Sequence, residues 1–79
     1  MHVSVRLFAG FREIVGSERL NLDLGQGATV GELWGRLSAR HEGLGAHHPA
    51  AAINAIMTPL SAALNDGDEV AFLPPVSGG

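Results

Sequence analysis

The stretch whose residue types could carry chemistry is Pro74-Pro75-Val76-Ser77-Gly78-Gly79. Two glycines have no Cβ, so they can enter a channel that any other residue would block. The paired prolines stiffen the segment and aim it away from a folded body. From Val76 to Gly79 it can reach at most ~14 Å, at ~3.3–3.6 Å per extended residue. The reactive atom would be the carbonyl of Gly79. A carboxylate is a poor electrophile, so a partner must first activate it, for example as an acyl-adenylate. The plain alternative is a frayed terminus without a role.

The other candidates are weaker. His2, His41, His47 and His48 invite a metal reading, but adjacent His47-His48 is poor spacing for one face, and no Cys completes a ligand set. No metal is therefore expected, and these histidines read as solvated loop residues. Asp66 and Asp68 flank Gly67 in a turn without the D-x-D-x-D-G pattern of a Ca²⁺ loop. The serines lack a G-x-S-x-G elbow, and the glycines form neither a P-loop nor a dinucleotide fingerprint. No self-contained active site is visible.

Composition sets the frame for these residues. At 79 residues the chain is one small domain. Five Arg against eight Asp and Glu give a net charge of −3, which argues against a primary nucleic-acid binder. Cysteine is absent, which removes disulfides and any thiol nucleophile; lysine is absent too. The charged fraction is only 16%, against about a quarter in typical domains, which leaves room for an apolar partner-binding patch. There is no membrane-length apolar run and no signal-peptide core, so a cytoplasmic protein is expected.

The elements that must hold the tail follow from periodicity. Val3, Val5 and Leu7 alternate with His2, Ser4 and Arg6, predicting a half-buried strand with Phe8 on the opposite face. Phe11, Ile14 and Val15 suit a short helix within Ala9–Gly16. Leu20, Leu22 and Leu24 predict a second strand. Val30, Leu33, Trp34 and Leu37 are spaced i, i+3, i+4, i+7, predicting the main helix over Thr29–His41. Thr29 and Glu32 would form its capping box. Gly31 and Gly35 weaken that helix and would allow close packing on a sheet. Glu42–Pro49 reads as a loop and Ala50–Ala55 as a short strand around Ile53. Ile56–Leu64 is ambiguous, because Pro59 excludes a regular central strand. Asn65–Asp68 is a turn, and Glu69–Leu73 is a last strand whose apolar run suggests cover on both sides. The core would comprise Val3, Val5, Leu7, Leu20, Leu22, Leu24, Val30, Leu33, Leu37, Val70 and Phe72, with Trp34 at its margin. The fold class is α+β, a small mixed sheet with one main helix packed across it.

The run Leu64-Asn65-Asp66-Gly67-Asp68-Glu69-Val70-Ala71-Phe72-Leu73-Pro74-Pro75-Val76-Ser77-Gly78-Gly79 closely resembles the end of the molybdopterin synthase small-subunit family. Leu7-Phe8-Ala9-Gly10-Phe11-Arg12-Glu13-Ile14-Val15-Gly16 resembles its start, and Ala52-Ile53-Asn54 its central A-V-N. Leu73 stands where the family often has Phe. The resemblance implies a ubiquitin-like β-grasp over residues 1–75 with a flexible tail over 76–79. It also implies a sulfur carrier for molybdenum-cofactor biosynthesis. An activating enzyme would use ATP to adenylate Gly79, and a sulfur donor would convert it to a thiocarboxylate. The tail, with Gly78 easing its entry, would then deliver sulfur to cyclic pyranopterin monophosphate. The active site would lie in the large subunit of a heterotetramer, so this chain would be a non-catalytic subunit that binds no cofactor of its own.

In a β-grasp the first and last strands are central parallel neighbours. Phe8, Ala71 and Leu73 would then form an apolar patch on the sheet face away from the helix, at the root of the tail. Partner contacts are expected at Phe8, Ala71, Leu73, Pro74, Pro75, Val76 and Ser77. The rival readings are a thiamine-type sulfur carrier, a ubiquitin-like modifier, and a plain binding module with an inert tail.

Overall fold

A computed structural model of the protein describes residues 1–75. Strand β1 (His2–Leu7) is followed by helix α1 (Gly10–Val15), strand β2 (Arg19–Asp23) and helix α2 (Val30–Arg40). A 3-10 turn (Leu44–Ala46) leads to β3 (Ala50–Ile53), β4 (Ile56–Thr58) and β5 (Glu69–Leu73). The strands form one sheet in the order β2-β1-β5-β3-β4. β1 and β5 are parallel, and every other pair is antiparallel. With α2 across one face, this is a ubiquitin-like β-grasp.

The alternation read in the sequence holds. Val3, Val5 and Leu7 from β1, Leu22 from β2, and Val70 and Phe72 from β5 are buried against Val30, Leu33, Trp34 and Leu37 of α2. Leu24 joins them, whereas Leu20 is only partly buried against the cluster. Trp34, 8% exposed where most of the core is at 0–3%, keeps its expected place at the margin. Its ring sits 5.1 Å from Phe11 and 4.8 Å from Phe72, so the three aromatics pack in contact within the core.

Several local expectations need correction. β5 is buried on one side only: Val70 and Phe72 point into the core, and Glu69, Ala71 and Leu73 are half-buried on the other face. An apolar strand need not be covered twice, because an open sheet face can itself be apolar. The Glu42–Pro49 loop contains the 3-10 turn, and its Leu44 is fully buried. The ambiguous stretch opens with edge strand β4. Gly31 does not face the sheet. Its N–H donates to the Leu60 carbonyl at 2.8 Å, and a Cβ there would lie 3.3 Å from that oxygen. The Val30 N–H likewise donates to Ala62 O, so the loop after β4 supplies acceptors that the first turn of α2 lacks. The Thr29 hydroxyl caps the helix by accepting from Glu32 N–H at 3.1 Å.

Candidate functional site

The root of the tail is set by β5, which runs between β1 and β3. Register places Leu7 beside Phe72 and Leu73 beside Ala50. Phe8, one residue beyond β1, therefore comes level with Leu73. Both are half-buried on the face that α2 leaves open, as parity requires. Ala71 lies one pleat back on the same face.

The pairings extend this patch across the whole sheet. Arg19, Arg6, Ala71, Ala52 and Met57 stand in one cross-strand row. Phe8, Leu73 and Ala50 form a second row nearer the tail. Small side chains floor the middle, and Met57, 64% exposed, stands at the far end. Ile56, 72% exposed, pairs with Ile53 and so lies on the opposite face of β4. Met57 and Ala50 are the residues sequence reasoning missed here. Their only sequence signal was apolar character in short, non-periodic segments.

The other end of the row is charged. The Arg6 guanidinium carbon lies 5.1 Å from the centroid of the Phe8 ring. Arg19 reaches Glu69 at 4.0 Å. Pro74 and Pro75 are exposed directly after Leu73. Val76, Ser77, Gly78 and Gly79 lie outside the described residues.

The turn before β5 is fastened by side chains. Asp68 is buried, and its carboxylate accepts from Asn65 N–H at 2.7 Å and from the Asn54 amide at 3.0 Å. The Asn54 carbonyl oxygen in turn accepts from Glu69 N–H at 2.9 Å. Asp66 accepts from His2 N–H at 2.6 Å. Both turn carboxylates thus bond to the protein's own donors and position β5. His47 and His48 are exposed, and the His47 ring meets the edge of Phe11 at 5.5 Å. Among the described residues no three His, Asp or Glu side chains gather as a metal site. Among them too, no helix is long and apolar enough to cross a membrane.

The ThiS family model matches residues 5–79, from the middle of β1 through the glycines. The chain belongs to the ThiS family. This ThiS-family chain is 38% identical over 80 residues to the molybdopterin synthase sulfur carrier subunit of Mycobacterium tuberculosis, covering 98% of this chain and 96% of that one. It is 32% identical over 92 residues to small archaeal modifier protein 3 of Haloferax volcanii, with both chains covered in full. In three dimensions it resembles a chain in the complex of subunits 1 and 2 of molybdopterin-converting factor from Helicobacter pylori. There the TM-score is 0.67 at 30% identity, over 100% of each chain.

Proposed function

We propose that this ThiS-type sulfur carrier serves as the small subunit of molybdopterin synthase. The observation that carries the reading is the apolar patch of Phe8, Ala71 and Leu73 at the point where β5 gives way to Pro74-Pro75 and the Gly-Gly segment. A large subunit gripping that patch would hold the tail root while Gly78 and Gly79 enter its active site. An activating enzyme joins the Gly79 carboxylate to AMP from ATP, releasing pyrophosphate. Sulfide-level sulfur from a donor attacks the acyl carbon, AMP leaves, and a thiocarboxylate remains. The thiocarboxylate sulfur bonds to a carbon of cyclic pyranopterin monophosphate, and water then cleaves the acyl–sulfur bond, leaving the sulfur on the pterin and Gly79 as a carboxylate. The Helicobacter pylori complex of two subunits supports such a partner.

Intact-mass measurement of the protein from a host that makes molybdenum cofactor tests this reading. A shift equal to replacing one oxygen by sulfur is expected on the wild-type chain. Deleting Gly79 draws the carboxyl back by ~3.5 Å. That variant should lose both the shift and molybdopterin formation while keeping its melting temperature. Molybdopterin synthesis retained by the deletion variant would refute the proposal.

Similarity to a small archaeal modifier protein favours one second reading, attachment of Gly79 to lysines of other proteins. With no lysine in its sequence, the chain could not form side-chain-linked polymers of itself. Conjugates on other proteins in the same host would identify this use.

A further inference from the structure

We infer that Arg6 is an ion-pair anchor, and that the surface docking on the open sheet face carries a carboxylate set among apolar side chains. The inference rests on the docking reading above and specifies the chemistry of the partner. Arg6 and Arg19 are direct cross-strand neighbours, so register sets both side chains on one face at one end of the patch. Their surroundings differ. Arg19 has Glu69 at 4.0 Å, whereas among the described residues Arg6 has no carboxylate within salt-bridge distance. Arg6 lies instead over the Phe8 ring, its side chain half-buried beside Ala71.

A cation over an aromatic face is held in place yet keeps its N–H groups for another partner. In the free protein, water serves those donors. When an apolar partner covers Phe8, Ala71 and Leu73, that water is displaced. A guanidinium buried without an acceptor would oppose binding strongly. The partner therefore has to bring an acceptor to this position, and a carboxylate matches the planar fork with two parallel hydrogen bonds. The same device rejects surfaces that are merely apolar, because they would leave the charge unpaired.

The test uses the full-length chain and purified molybdopterin synthase large subunit as the probe, with binding followed by titration calorimetry. Arg6→Met, which keeps an apolar stem, should bind at least about thirtyfold more weakly, in line with the loss of one partner of a buried charge pair. Arg6→Glu should bind more weakly still. Exchanging the matching Asp or Glu of the large subunit for Lys should restore binding to Arg6→Glu, and to that variant only. Thermal melts equal to wild type would place these effects on docking. The variant Leu73→Ala, which leaves the Phe8 ring under Arg6, tests the underlying face separately. If it loses affinity while both Arg6 variants bind as wild type, the anchor is refuted and the docking face stands. If the Arg6 variants weaken but no charge exchange restores Arg6→Glu, the carboxylate is refuted. Unchanged affinity in all three variants would overturn both the anchor and the face.

Discussion

At the scale of single residues, the backbone asks more of some side chains than their types favour. Asn54 and Ala55 form the β3–β4 turn with φ of 49° and 70°. Asn tolerates that region, and the side chain of Asn54 is also engaged by Asp68 and Glu69. Ala55 has no such compensation. Its Cβ crowds the following carbonyl, a strain that glycine lacks. Ala55→Gly should therefore stabilise the protein by about 1 kcal/mol, even after the added freedom of the unfolded chain. The readout is a melting temperature raised by roughly 4–8 °C, as expected for a domain of this size. An unchanged or lowered melting point would mean that the turn is not strained at this residue. None of this was legible beforehand. Ala52-Ile53-Asn54 stood out in the sequence only by resemblance, and the Asn54–Asp68 bond spans 14 residues.

At the scale of elements, α2 shows how much a local pattern settles. The i, i+3, i+4, i+7 spacing located its buried face, and Thr29 its start, to within a residue. What the two interior glycines face was not legible, since that depends on a loop closing from residues 59–63. The structure now separates them. A Cβ on Gly35 meets nothing within 4 Å, whereas one on Gly31 meets Leu60 O at 3.3 Å. Gly35→Ala should stabilise by about 1 kcal/mol through helix propensity alone. Gly31→Ala should gain clearly less, because the Leu60 carbonyl that binds its N–H must move. Chemical denaturation of both variants checks the order, and equal gains would mean that the loop yields freely. β4 and the 3-10 turn escaped the sequence reading for a simpler reason. Each has three residues, too few to establish a period, and buried Leu44 stands alone among Gly, Ala and His.

At the scale of the whole molecule, one small core supports everything else. Leu33 is fully buried on the inner face of α2. Leu33→Ala should cost about 2–5 kcal/mol. A domain this short has roughly 4–12 kcal/mol in total at about 0.05–0.15 per residue. Its melting temperature should therefore fall by at least about 8 °C, as circular dichroism would report. A wild-type melting curve would place Leu33 off the core. The open face of the sheet was legible only in half. Parity assigned Phe8, Ala71 and Leu73 to it, but the row from Arg19 to Met57 needed the register of five strands. Register is a property of the assembled sheet that no single segment encodes.

The position of β5 also governs how the molecule answers a mechanical load. Any pull on the segment beyond Pro75 enters a strand bonded on both sides, to β1 in parallel and to β3 antiparallel. When β1 resists from its opposite end, the force runs along these ladders. Their hydrogen bonds are then sheared together, not peeled apart singly. An edge strand such as β4 would unzip one bond at a time under far smaller force. A load applied at that end of β5 can therefore be borne while the body stays folded behind it.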